Sequence, residues 1–148
     1  MPGAGLVRFV DAQATVYDIA LRELREGRKT SHWMWYIFPQ LASLGRSQRA
    51  VFYGLADAAE ARAYQAHPVL GPRLDACFSA LLGLQTDDAE AVLGAVDALK
   101  LRSCATLFQI AAPGTDTARR AGDVLRRFHG GPPRPPTPPE PARAGRDP

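Results

Sequence analysis

The chain has 148 residues, 46% hydrophobic and 22% charged, the size and balance of one globular domain with a single sizeable core, which excludes a wholly disordered chain. No apolar run approaches the roughly 18 residues that a membrane helix needs, and the opening Met1-Pro2-Gly3-Ala4-Gly5 lacks a signal peptide's basic and apolar regions; a cytoplasmic protein without a membrane partner is expected. The formal net charge of +3 comes from 18 basic and 15 acidic residues spread along the chain, which argues against nucleic acid as a partner while leaving room for a small anion.

From Leu6 to Glu26, apolar Phe9, Val16, Tyr17, Ala20, Leu21 and Leu24 recur at three- and four-residue steps, predicting an amphipathic helix with a break near Asp11 and a stop at Gly27. The aromatic-dense stretch Thr30 to Gln40 follows, where Ser31 is placed to cap a short helix over Trp33 to Ile37 and Pro39 to end it. Gly45-Arg46-Ser47 reads as a turn into a helix over Gln48 to Tyr53, and Asp57 as the cap of another over Ala58 to Ala66. After His67-Pro68, the residues Leu70, Leu74, Cys77, Phe78, Leu81 and Leu82 give the most regular stripe in the chain. Thr86 or Asp87 opens a short helix ending near Gly94. Asp97 is predicted to cap Ala98 to Ala112, whose apolar residues cover nearly every face and suggest a central buried helix. Thr115 or Asp116 starts the last helix, which runs to Gly130.

No alternating β-branched run of strand length occurs, so the expected fold is all-α, a compact single domain over residues 1–131 built from short and medium helices in orthogonal rather than long-parallel packing. Eight of the 13 prolines fall between Pro132 and Pro148, and residues 132–148 are expected to form a disordered, solvated tail.

The segment Ser31 to Ser47 concentrates groups suited to a polar, partly flat ligand: His32, the indoles of Trp33 and Trp35, the Gln40 amide and the Arg46 guanidinium. Trp33 and Trp35 are two residues apart, so on a helix they point roughly opposite ways and at least one belongs to the core. Ser47 at a helix start either caps it or, with Arg46, offers free N–H groups and positive charge to an anion. In the later helix Arg102, Thr106 and Gln109 share one face and Lys100 and Ser103 another; their charges must reach water, an acidic partner or a ligand. His67 either stabilises its turn or joins the site. Cys77 and Cys104 lie among apolar residues and are expected to be buried free thiols, and with His32, His67 and His129 far apart no metal site or cofactor is implied. No nucleophile elbow, phosphate loop or dinucleotide fingerprint is present, so no catalytic residue is named and catalysis is left open.

The strings Ser-His-Trp-Met-Trp-Tyr-Ile-Phe-Pro-Gln (31–40), Leu-Gly-Arg-Ser (44–47), His-Pro-Val-Leu-Gly-Pro-Arg-Leu (67–74) and Leu-Lys-Leu-Arg-Ser (99–103) resemble the bacterial domain-of-unknown-function family 1810, sometimes loosely labelled calpastatin. The resemblance spans Leu6 to Gly131 and implies a compact, wholly helical fold with no assigned activity. A calpain inhibitor would be a disordered, repeated segment, unlike the apolar stripes here. The chain departs from the family pattern at Cys104-Ala105, in place of a Ser-Met pair, and in its proline-rich end, in place of an acidic helical one. The expected function is binding of a small anionic metabolite, a nucleotide or phosphorylated sugar, between Ser31–Ser47 and Lys100–Ser103. Arg46 and Arg102 would supply charge, an indole stacking, and His32 and Gln40 orientation. The alternative is a protein-interaction module with no small ligand, which would present a flat apolar patch in place of a concave polar pocket.

Overall fold

In the computed structural model, residues 3–130 are described; residues 1–2 and 131–148, which include the proline-rich tail expected above, lie outside the described residues. A four-residue strand, β1 (Gly3–Leu6), leads into α1 (Val7–Glu26). Asp11 is exposed, so its carboxylate stays in water and the helix runs through it without a break. Gly27, at φ 79°, takes the left-handed conformation and returns its N–H to Glu23 and Leu24, ending α1.

The remaining elements are α2 (Met34–Ile37), a 3-10 turn over Ala42–Leu44, α3 (Gln48–Phe52), α4 (Ala58–Ala66), α5 (Leu70–Leu82), α6 (Ala89–Leu93), α7 (Ala95–Ala111) and α8 (Asp116–His129). Helices of 4 to 20 residues cannot line up as one parallel bundle, and the fold is all-α. Side-chain caps start four of them: Ser47 accepts from Ala50 N, Asp57 from Glu60 N, Asp88 from Glu90 N and Ala91 N, and Thr115 from Ala118 N. Such caps are worth about 1 kcal/mol each.

Three expected caps are displaced. The short helix expected to open at Thr86 or Asp87 is capped by Asp88, whose own N–H donates to Thr86 Oγ1 at 3.0 Å. Ser31 turns back onto Glu23, and α2 starts at Trp33 with no side-chain cap. Asp97 lies inside the first turn of α7, whose N-cap is Gly94 at φ 88°; that glycine lets α6 and α7 follow each other with a single residue between them.

One hydrophobic cluster extends from Phe9 on α1 to Phe128 on α8. Its axis is α5, whose Leu70, Leu74, Cys77, Phe78 and Leu81 are fully buried as their spacing predicts, against α1, α4 and α8. Each such leucine contributes about 1.5–3 kcal/mol on burial. The amphipathic α8 turns Ala121, Val124 and Leu125 inward and pairs Arg119 with Asp116 and Arg126 with Asp123 on its outer face. Helix α7 packs most extensively on α8, and also on α4 and α6, through Leu101, Cys104, Ala105 and Phe108.

The expectation that α7 is buried on nearly every face is corrected by the structure. Its neighbours lie to one side, and Val96, Leu99 and Ile110 stand 67%, 65% and 71% exposed. Facing part of that open side is the segment around Leu41–Leu44, held by an isolated parallel bridge between Leu41 and Leu55, with Ala42 N on Leu55 O at 2.8 Å and Leu55 N on Gln40 O at 2.9 Å. Gly54 makes this approach possible, because a Cβ there would collide with the Ala42 backbone. Among the described residues no helix is long and apolar enough to cross a membrane.

Candidate ligand-binding site

The aromatic segment is anchored by a carboxylate that helical periodicity assigns to the solvent face of α1. Glu23 is 4% exposed and accepts five hydrogen bonds, from Thr30 N (2.9 Å), Thr30 Oγ1 (2.9 Å), Ser31 N (3.1 Å), Ser31 Oγ (2.6 Å) and Trp33 Nε1 (2.9 Å). Burial works to raise its pKa, and the donated hydrogen bonds outweigh burial and bring it down to about 2. The carboxylate thus stays ionised and fixes the turn that follows Gly27. Trp33 is consequently a core residue, 1% exposed, with its N–H spent.

From this anchor a chain of charged contacts reaches α7. Lys29 Nζ lies 5.1 Å from the Trp33 ring centroid and 2.9 Å from Asp97; Asp97 also pairs with Lys100 at 3.4 Å, and Lys100 Nζ lies 4.4 Å from the Trp35 ring centroid. Trp35 and Lys100, predicted from separate parts of the sequence, therefore meet. Two ammonium groups share one carboxylate, which leaves this end of α7 with a net positive charge. Trp35 Nε1 is buried without a hydrogen-bond partner among the described residues.

Beginning at Leu99, next to Lys100, a groove of about 820 Å³ opens between α7 and the Leu41–Leu44 segment. Leu99, Ser103, Thr106 and Ile110, spaced at helical intervals, form its α7 wall together with Arg102 and Leu107. The opposite wall is Leu41, Ser43 and Leu44, and Asp57 and its two neighbouring alanines close one side. Arg102 makes no ion pair among the described residues.

Of the expected site residues, then, Arg102 and Ser103 line the groove, and Lys100 and Trp35 lie against each other outside its lining. His32, Arg46 and Ser47 are exposed outside the lining, and Ser47 spends its hydroxyl as the α3 cap. The Gln40 main chain supports the wall through Leu55 N. His67 is at the α4–α5 junction, where its Nδ1 accepts from Val69 N at 3.0 Å and Leu70 N at 3.2 Å, a local turn role. Sequence reasoning missed Asp57, Ser43, Leu44, Leu99 and Ile110 as lining, though the shared face of Arg102 and Thr106 was visible in the spacing, and it missed Lys29 and Asp97 as partners of the Lys100 pair. The Asp97–Lys100 spacing of three was the one visible signal. Cys77 and Cys104 are buried free thiols as expected; burial pushes Cys77 up to about 12 and Cys104 well above its usual value, so neither offers a thiolate at neutral pH.

The structure is thus a small all-helical domain with an open groove along one helix. The chain belongs to the family of proteins of unknown function DUF1810, which matches residues 3–139. It is similar to the conserved hypothetical protein Rv1873 from Mycobacterium tuberculosis, whose crystal structure at 1.38 Å shares 46% sequence identity, covers 85% of this chain and 88% of that one, and superposes with a TM-score of 0.80. No curated protein matches the chain.

Proposed function

We propose that this domain binds a small anionic metabolite in the α7 groove. Arg102 is the observation that carries the proposal: an arginine that lines a concave surface and has no acidic partner among the described residues. Arginine presents a rigid fork of donors matched to a carboxylate or phosphate, and the hydroxyls of Ser43, Ser103 and Thr106 line the same concavity and would orient the ligand. The excess positive charge at Lys29–Asp97–Lys100 adds a field that favours an approaching anion.

A thermal-shift screen of the full chain against carboxylates, nucleotides and sugar phosphates is the test. At least one anion is expected to raise the melting temperature, and Arg102→Gln to abolish the rise. Arg46→Ala, beyond the Leu41–Leu44 wall, reports whether the ligand extends over that turn. A screen without any shift, or a shift indifferent to Arg102, contradicts the proposal.

The protein-interaction alternative is favoured by one observation, the 53%, 65% and 71% exposure of Leu44, Leu99 and Ile110 around the same groove, since clustered exposed leucine and isoleucine side chains mark partner surfaces as well as ligand grooves. A silent anion screen together with a specific protein partner displaced by Leu99→Asp would support it.

A further inference from the structure

We infer that the ligand class is an amphipathic monoanion, an apolar chain ending in one carboxylate, rather than a nucleotide or sugar phosphate; the inference rests on the anion-binding proposal for the same groove.

The first ground is what the lining offers. Its large side chains, other than Arg102, are leucine and isoleucine on both walls, and no aromatic ring lines it. Neither indole stands free nearby to stack a base: Trp33 is 1% exposed, and one face of Trp35 is occupied by Lys100. Apart from the charged pair Arg102 and Asp57, a polyol or a base edge would find three hydroxyls and alkyl groups, whereas an alkyl chain would cover Leu44, Leu99 and Ile110, which now face water.

Charge is the second ground. The lining holds one cation, Arg102, and one carboxylate, Asp57, whose position is fixed because its Oδ1 caps α4 by accepting from Glu60 N at 2.9 Å. One negative charge on Arg102 is matched; a second would have to share the groove with Asp57, a like charge that selects against polyanions.

Shape is the third. Leu99 and Ile110, both in the lining of the 820 Å³ space, bound a strip of α7 about 16 Å long at the helical rise. An extended chain fits such a strip with its acid end on Arg102.

Isothermal titration of the full chain with decanoate below its micelle-forming concentration, with AMP and with glucose 6-phosphate tests this. Leu99 and Arg102 are both exposed, so Leu99→Asp and Arg102→Gln are expected to fold, with unchanged circular dichroism and melting as the check. Decanoate is expected to bind, about tenfold or more weakly in Arg102→Gln and not measurably in Leu99→Asp, while AMP and glucose 6-phosphate give no heat. Binding of AMP or glucose 6-phosphate at least as tight as that of decanoate, and dependent on Arg102, overturns the ligand class and leaves the anion proposal standing. Silence of all three overturns both. Decanoate binding that neither substitution weakens is adsorption elsewhere and overturns the assignment to this groove.

Discussion

Arg102 influences a neighbour as well as the groove. Burial first, and then the Arg102 guanidinium, hold the His129 imidazole at about 4, below its ordinary 6.5, and its Nε2 is buried with no hydrogen-bond partner among the described residues. The folded protein therefore keeps His129 neutral at a pH where the unfolded chain protonates it. The unfolded state binds more protons between those two values, so stability rises with pH there and is lost as pH falls. Glu23, with its pKa at about 2, works in the same direction but only below about pH 5. Urea denaturation between pH 6.5 and 5 isolates the histidine: the wild type should lose about 1 kcal/mol over that interval, because solvent screens part of the half-buried ring, and His129→Gln should flatten the slope. An equal slope in the two proteins would show that the imidazole is not held neutral by the fold.

The two faces of α7 make opposite demands. Leu101 is fully buried, so Leu101→Ala leaves a cavity and is expected to cost about 2–5 kcal/mol. Leu99 is 65% exposed, and Leu99→Ser is expected to change stability by about 0.5 kcal/mol or less. Urea melts of the two variants measure both, and a large loss at Leu99 would mean that the groove wall is part of the core. This contrast marks where helical patterning stops being informative. α5 and α8 were legible because charged or small residues alternate with their buried stripes. In α7 the apolar residues that face the groove look the same in sequence as those that face α8, so the helix read as buried all round. Glu23 escaped notice for a related reason. Its five donors come from residues 30–33, which meet it only because the chain turns at Gly27, and periodicity along α1 carries no information about them.

At the scale of the molecule, the groove exists because two remote features meet across it. The Leu41–Leu55 bridge and the bare Cα of Gly54 fix the 41–44 wall, while α8, α4 and α6 pack on α7 and leave Leu99 and Ile110 exposed. The all-α class and most helix boundaries could be read from spacing and caps. The site was half legible: Arg102 and Ser103 stood out as polar residues in an apolar helix, whereas the leucines around them, and Asp57 at the α4 cap, needed the packing to be seen as one surface. The measurement that bears most directly on the central claim is a map of backbone amide shifts in the ¹⁵N-labelled full chain titrated with decanoate, AMP and glucose 6-phosphate in turn. A saturable response to at least one of these anions, concentrated in residues 41–44, 56–58 and 99–110 and removed by Arg102→Gln, is the expected result; saturable shifts centred elsewhere, or no saturable shift with any of the three, would contradict the assignment of the α7 groove as an anion-binding site.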